Sequence, residues 1–499
     1  MKISKTNYLD YTNCRKNLWL KKHKPELYVG LELSEFEQKM IEEGAITDEV
    51  AQQLHPNGVL VNEVGAKGIS QTKELIDAKT PTIFQATFEW NDFFHISDIL
   101  IYNDELNGYE LYEVKGSNSV KRKPPYNYIN DLCFQKTIIE KNGINIIKSG
   151  VIHLNGKYRF QDKLNLKALF LHEDVTDEVI DSQGNVIQQM LDVKKYLSMP
   201  EEKGCECLYR GRRGQCQTFQ YSNPQVPEYS IYDLSRIGSS KKLLNYLVDL
   251  HTYKLEDIDV VNKLTGAKKN QYNSYMQKKP IIDIPAIKNE LDELEFPLYF
   301  LDFEGYTSAI PRFNNFGPYE QDPFQYSLHI LYADGKLDHK EYLITDPKED
   351  LTLELVKKMR EDIEDQGTII SWSNYEKQRI LKLIELNPKY INFLLDLNNR
   401  MFDLMTIFSK GLYVDAFFKG GWSIKKVLPI LIPELSYAEL EISGGTQAMT
   451  MWGKMLEGTY MIESSAQIQK DLLEYCKLDT YAMVEIYRFL KILVSNPLH

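Results

Sequence analysis

The sequence has no run of about 20 apolar residues, the length a helix needs to cross a bilayer. No membrane span and no membrane partner are expected. The opening residues, Met1-Lys2-Ile3-Ser4-Lys5-Thr6-Asn7, are polar and lack the apolar core of a secretory signal. A cytoplasmic location is the resulting expectation. The six cysteines are then expected to be reduced or metal-bound, not paired in disulfides. Excess positive charge is missing too: 59 Lys and Arg stand against 71 Asp and Glu, a net charge of −12. That argues against a protein that coats nucleic acid, because affinity for phosphates comes from Lys and Arg. It does not argue against a nuclease, whose site is acidic and whose basic residues are local. Internal repeats are also absent.

What is present suits a large folded protein. The chain has 499 residues, 43% of them apolar, with 32 Tyr and 21 Phe. At roughly 100–200 residues per domain, two or three domains are expected. Residues 1–225 mix strands and helices. Strands are predicted at 82–90, 93–102 and 109–114, with loops at 91–92 and 103–108 as in an antiparallel meander. A helix is predicted over 128–140, and a turn at 153–156. Residues 226–290 read as a helical connector, from the spacing of Leu234, Ile237, Leu243, Leu244, Leu247 and Leu250. A lysine-rich stretch over 263–279 follows. Residues 291–499 alternate strands (298–303, 325–332, 341–344, 368–373) with helices (376–386, 401–409, 423–431, 468–493). The fold class is mixed α/β, with helices flanking a sheet in the last segment.

The chemistry begins at Pro297-Leu298-Tyr299-Phe300-Leu301-Asp302-Phe303-Glu304. An apolar run ends in two carboxylates two residues apart, which puts both on one face of a strand. Such a pair repels itself unless a cation lies between, and hard divalent ions prefer oxygen ligands. Far downstream, Tyr475 and Asp479 are one helical turn apart and share a face. Glu376 follows the strand over 368–373, at its carboxyl end. Asp403 follows Met401-Phe402 and is expected to open a helix. In order, Asp302, Glu304, Glu376 or Asp403, and Asp479 outline a metal-dependent phosphodiesterase.

This order resembles the DnaQ-like 3′–5′ exonucleases of the RNase H-like fold, over about 200 residues. Their pattern is Asp-x-Glu on the first strand, an acidic residue after a later strand, and Tyr-x-x-x-Asp on the last helix. Glu376 stands where Asp is usual, which leaves Asp403 as the rival ligand; Glu376 is favoured. The resemblance implies Mg²⁺ or Mn²⁺ held by Asp302, Glu304, Glu376 and Asp479, with Asp302 bridging two ions that clamp a phosphodiester. Tyr475 would orient the attacking water.

A second acidic set lies earlier: Asp98, then Tyr112-Glu113-Val114-Lys115, then Gln135. Glu113 and Lys115 share a strand face, and Asp98 lies on the strand before. The set resembles the RecB-like branch of the PD-(D/E)xK nucleases, with a restriction-endonuclease-like fold. Asp98 and Glu113 would hold Mg²⁺, Lys115 would stabilise charge on water and phosphate, and Gln135 would orient the site. Two departures stand out. Ile139 occupies the position where a Tyr often follows the Gln, and the early helix after Gly44, where a His is often found, carries Asp48 and Glu49 instead.

Cys14 and a late trio, Cys205, Cys207 and Cys216, flank this segment. One early and three late cysteines resemble the iron–sulfur subset of RecB-like nucleases, which implies a [4Fe–4S] cluster. Four thiolates also suit Zn²⁺. The first pair of the trio is separated by one residue, where two are usual. Cys133 and Cys476 lie in apolar helical patterns and are expected to be buried as small hydrophobes. Basic residues with interleaved tyrosines (Lys121, Arg122, Lys123, Tyr126, Tyr128), arginines between the cysteines (Arg210, Arg212, Arg213) and Lys263, Lys268 and Lys269 are candidates for tracking phosphates. Gly420-Gly421-Trp422-Ser423-Ile424-Lys425-Lys426 opens a helix whose N-terminus suits a phosphate.

The whole chain is similar to an uncharacterised bacterial family that fuses a RecB-like, cysteine-bearing domain to a DnaQ-like exonuclease domain. The stretches carrying this are Ile3-Ser4-Lys5 with Cys14, Tyr112 to Lys115, Pro323-Phe324-Gln325-Tyr326-Ser327, Ser423 to Pro429, and Asp479-Thr480. A nuclease acting on nucleic acid, DNA before RNA, in repair or in defence against foreign nucleic acid is the expectation; protein partners are not specified. The alternatives are a catalytically degenerate nucleic-acid-binding scaffold and an iron- or redox-sensing protein built on the cysteines.

Overall fold

The computed structural model describes residues 1–30, 33–346, 351–458 and 462–495. The chain divides into two compact units, each discontinuous in sequence. The first comprises residues 1–208, 215–224 and 308–320; the second comprises 209–214, 225–307 and 321–499. Both are α/β, and the connector segment belongs to the second.

The first unit is built on a seven-stranded sheet. Its strands are β1 (Ile3–Ser4), β2 (Val59–Leu60), β3 (Thr82–Trp90), β4 (Phe93–Asn103), β5 (Gly108–Lys115), β6 (Ile146–Leu154) and β7 (Phe170–Asp174). The order is β2-β3-β4-β5-β6-β7, and β1 pairs with β4. The meander β3-β4-β5 is antiparallel, as the turn residues at 91–92 and 103–108 predict. β6 returns parallel to β5 after the crossover helix α5 (Tyr128–Lys141), where α1 (Lys5–Asn13), α2 (Arg15–His23), α3 (Glu35–Gln52) and α4 (Gly65–Asp77) precede it in the chain. Helix α6 (Thr176–Leu197) packs against α5, and a core running from Ile3 to Leu197 lies between helices and sheet. The turn predicted at 153–156 begins later than expected. His153 and Leu154 pair with β7, because the run Val151-Ile152-His153-Leu154 is buried to the strand's end.

The second unit centres on a five-stranded sheet. A small pair, β8 (Ile281–Ile282) with β14 (Tyr413–Val414), stands apart from it. The main strands are β9 (Leu298–Tyr306), β10 (Asp322–Leu331), β11 (Leu337–Leu343), β12 (Thr368–Ser371) and β13 (Met401–Asp403), in the order β11-β10-β9-β12-β13. The first three are antiparallel; β12 and β13 run parallel to β9. Being central, β9 is covered on both faces, and its first half, Leu298-Tyr299-Phe300-Leu301, reads as a continuous apolar run.

One sequence expectation is corrected here. Residues 401–409 do not form one helix, because Met401-Phe402-Asp403 pairs with β12; only Thr406–Ser409 is helical. A short apolar run is ambiguous between strand and helix, and the vacant parallel edge of β12 decides it.

Helices of the second unit include α7 (Lys241–Asp249), α8 (Ala267–Gln277), α9 (Ile284–Asp292), α10 (Tyr375–Leu386), α11 (Ile424–Leu431), α12 (Gly445–Leu456) and the 34-residue α13 (Ile462–Ser495). Along α13, Leu472, Tyr475, Cys476, Asp479, Thr480, Met483, Tyr487 and Leu490 are buried, a spacing of three and four that makes one stripe facing the sheet. Polar bonds fix its register. Gln325 donates to the Leu472 carbonyl at 2.9 Å, and the Thr480 hydroxyl lies 2.8 Å from both Ser327 Oγ and His329 Nδ1. Among the described residues, no helix is long and apolar enough to cross a membrane.

Candidate functional site

Asp302 and Glu304 lie on one face of β9, as their spacing predicts. The register of α13 brings Asp479 to them, and carboxylate oxygens of Asp302, Glu304 and Asp479 all lie within 4.8 Å of one another. Glu376 opens α10 and hydrogen-bonds Asp302. The turn that delivers it passes through Ser373 at φ 137°, a strained conformation of the kind found where a side chain is held for use. Its Oε2 is buried and has no hydrogen-bond partner. Asp403 caps the end of β13, accepts the Met405 amide at 3.0 Å, and reaches Glu376 through its charge. Of the two rivals, Glu376 is the one bonded to Asp302.

Four carboxyls in one place, Glu304, Glu376 and Asp479 buried and Asp302 half-buried, resist ionisation. Burial, then the Asp479 charge, push Asp302 well above the usual carboxylate range. Burial and Asp479 likewise push Glu304 up to about 8. Glu376 rises to about 7 and Asp479 to about 6, burial leading in both cases. A divalent cation among Asp302, Glu304 and Asp479 would remove this repulsion, so the donor set fits a hard ion.

Tyr475 is buried and bonded to Asp479; burial and that carboxylate push its hydroxyl far up, so it stays protonated. Three neighbours are not evident from the sequence. Tyr437 donates to Asp479 Oδ1 at 2.5 Å. The Lys425 ammonium lies over the Tyr437 and Tyr475 rings, 5.4 and 5.3 Å from their centroids, and its charge draws Glu304 and Asp479 down. Cys476, expected to be a buried hydrophobe, is fully buried, but its Sγ lies 3.6 Å from Asp302 Oδ2. The sequence shows Lys425 only as part of a helix N-terminus, and Tyr437 gives no sequence signal, because it sits in a loop.

In the first unit, the Asp98, Glu113, Lys115 and Gln135 set also comes together. Lys115 Nζ lies 2.7 Å from Glu113, Gln135 donates to Glu113 at 2.5 Å, and Asp98 accepts the Val114 amide at 2.8 Å. Lys5, at the start of α1, adds a second ammonium 2.7 Å from Glu113 and 3.5 Å from Asp131. Asp131 binds Lys115 at 2.9 Å and Gln135 at 3.0 Å. Burial alone would raise the Glu113 carboxyl, but Lys115 and Lys5 outweigh it and hold it well below the usual range. Asp98 is pushed well up by burial and by Glu113. Asp48, on α3, is pushed up to about 6, chiefly by burial, and senses the Glu113 charge. Asp131 is legible in sequence as the residue one helical turn before Gln135. Lys5 is remote in sequence, and only the pairing of β1 with β4 brings it in.

The four cysteines meet as well. Sγ atoms of Cys14, Cys205, Cys207 and Cys216 all lie within 4.8 Å of one another, with Cys205 and Cys216 4.0 Å apart. All are free thiols. Cys14 occupies the extended break between α1 and α2. Asn223 donates to Cys205 Sγ at 3.2 Å, and the Cys14 hydrogen bond holds that thiol below its ordinary value. A tetrahedral ion about 2.3 Å from each thiolate sets sulfur–sulfur edges of roughly 3.8 Å, so the set fits a metal. Cys133 is buried in the core, as expected. Of the basic candidates, Arg122 is paired with Glu173 and Glu178.

The sequence profile of a domain of unknown function, DUF2779, matches residues 299–423. The chain is 28% identical over 292 residues to an uncharacterised protein of Ureaplasma parvum, covering 54% of this chain and 41% of the relative. An uncharacterised protein of Mycoplasma genitalium is 23% identical over 402 residues, 70% of this chain and 58% of the relative. Its Mycoplasma pneumoniae homologue is 24% identical over 310 residues, 56% and 45%. The chain thus spans about half the length of these relatives.

Proposed function

We propose that this protein is a metal-dependent nuclease with two phosphodiesterase centres, one per unit, acting on DNA or RNA from the cytoplasm in repair or in defence. The observation that carries the reading is the convergence of Asp302, Glu304 and Asp479, with Glu376 bonded to Asp302 and one Glu376 oxygen buried and unpartnered. The sheet order, with three antiparallel strands followed by two parallel ones, supports an RNase H-like, DnaQ-like second unit. The mixed sheet with Asp98, Glu113 and Lys115 on its central hairpin supports a RecB-like first unit.

In the second centre, Asp302, Glu304, Glu376 and Asp479 would hold Mg²⁺ or Mn²⁺, which supplies Lewis-acid charge and an activated water when bound. Tyr475 stays protonated, so it would position the water through its hydroxyl oxygen and does not take a proton from it. Tyr437 holds Asp479 in place. Lys425 brings positive charge toward the phosphate. In the first centre, Lys115 and Lys5 present two ammonium groups to a phosphate, and Gln135 with Asp131 fixes Glu113. For the cysteines, the resemblance implies [4Fe–4S], whereas the close sulfur edges support a single tetrahedral ion such as Zn²⁺.

The test is a panel of end-labelled single-stranded DNA, duplex DNA and RNA with Mn²⁺. Wild type is compared with Asp302→Ala/Glu304→Ala and with Glu113→Ala/Lys115→Ala. Each pair should remove one cleavage pattern. A panel on which neither pair changes the products overturns the reading and leaves a binding scaffold.

A further inference from the structure

A cavity of about 690 Å³ opens in the second unit, away from the carboxylates. Its lining includes Arg212, Arg213, Arg236, Lys419, Lys426 and Trp422. Its single acidic lining residue, Asp233, is held by Arg212 through Nε at 3.2 Å and Nη2 at 2.6 Å. Five cations therefore face one neutralised carboxylate, in a chain whose net charge is −12. Lys419 lies 3.0 Å from Glu228. Among the described residues, no carboxylate pairs with Arg213, Arg236 or Lys426.

Three glycines shape the walls. A Cβ at Gly211 would lie 2.7 Å from Gly238 Cα, so the arginine loop and the 236–239 turn meet backbone to backbone. Gly420 has φ +65°, and a Cβ there would lie 2.2 Å from the Asp233 carbonyl oxygen. Arg236 lies over the Trp422 ring at 5.3 Å, so the cavity also presents an aromatic and guanidinium surface.

The cavity connects to the carboxylates through consecutive residues. Lys426 lines it; Lys425, the preceding residue of α11, lies over Tyr475 and acts on Glu304 and Asp479. Cations that follow a backbone beside a ring that stacks a base are the features by which proteins hold single strands. A duplex, with a major groove alone about 12 Å wide, does not enter a space of this size.

We propose that this cavity holds the backbone of single-stranded nucleic acid upstream of the end presented to Asp302. The proposal rests on the nuclease reading for its purpose but is tested without cleavage. Binding of a dye-labelled oligothymidylate to the full chain is followed by fluorescence anisotropy in EDTA, over a salt series. Arg213→Gln/Arg236→Gln/Lys426→Gln, at exposed positions, should weaken binding at least tenfold. It should also flatten the salt dependence by about 0.7 in log–log slope for each phosphate no longer neutralised. Trp422→Ala should weaken binding with the slope kept, and Trp422→Phe should restore it. Unchanged affinity and slope in the triple variant overturn the proposal. So does displacement of the oligonucleotide by equimolar inorganic phosphate, which would make the cavity a single-anion site. Failure of the nuclease reading shows separately, as an uncut oligonucleotide when wild type is given Mn²⁺.

Discussion

The carboxylates of the second unit should make the metal-free protein less stable as pH rises, and a divalent ion should reverse that. Burial and the Asp479 charge push Glu304 from an ordinary 4.5 up to about 8. Between those values the folded protein keeps a proton that the unfolded chain has lost. Stability therefore falls as pH rises through that window and levels off above it. One pKa unit is worth about 1.4 kcal/mol, so ionising Glu304 in the fold costs on the order of 5 kcal/mol. Asp302, Glu376 and Asp479 titrate with it as one set, so their costs are not summed. Mn²⁺ needs the ionised carboxylates, so its stabilisation should grow with pH. At one hundred times its Kd it adds about 2.7 kcal/mol, a rise of about 5–10 °C in Tm for a unit of this size. Differential scanning fluorimetry from pH 5 to 9, with and without Mn²⁺, measures both. Asp302→Asn/Glu304→Gln should melt higher than wild type at pH 8 without metal and should respond less to Mn²⁺ than wild type does. A Mn²⁺ shift of equal size at pH 5 and pH 8, or one undiminished in that variant, refutes the reasoning.

Three further outcomes are expected. Glu376→Gln should lower Mn²⁺-dependent cleavage by on the order of 100-fold, while Asp403→Asn, which touches Asp302 only through Glu376, should cost far less; single-turnover assays of both compare them directly. Cys14→Ser should reduce bound metal to well under one equivalent by elemental analysis. In wild type, one zinc per chain supports the tetrahedral reading, and four irons with visible absorbance support the cluster. Gly420→Ala forces a Cβ against the Asp233 carbonyl at a left-handed backbone position, and should destabilise the protein by about 1–3 kcal/mol in chemical denaturation.

Much of the second centre is legible because its parts obey short periods. Asp302 and Glu304 share a face by the strand repeat of two, and Tyr475 and Asp479 share one by the helical turn. Glu376 is favoured over Asp403 from sequence, but what separates them, Met401-Phe402-Asp403 forming a strand against β12, comes only from the fold. Tyr437 lies in a loop with no period, 42 residues from the aspartate it binds, and Lys425 is visible only as part of a helix N-terminus. Lys5 reaches Glu113 across 108 residues through a two-residue strand, too short to carry a pattern. Cysteine spacing shows four possible ligands, but the distances among their sulfurs come only from the fold.

The segment 308–320 leaves β9, packs Ala309 and Ile310 into the core of the first unit, and returns as β10. Any fragment that carries Asp302 through Asp479 must carry it too. Cut free of residues 1–208, that fragment would expose apolar side chains made for another core, and the first unit would be left with a gap. The two halves are therefore a single heritable and expressible whole. The matched profile over 299–423 includes this segment but stops short of Lys425 and Asp479. Gene fission, or a chain trimmed to the profile's limits, should yield insoluble protein and not a smaller folded one.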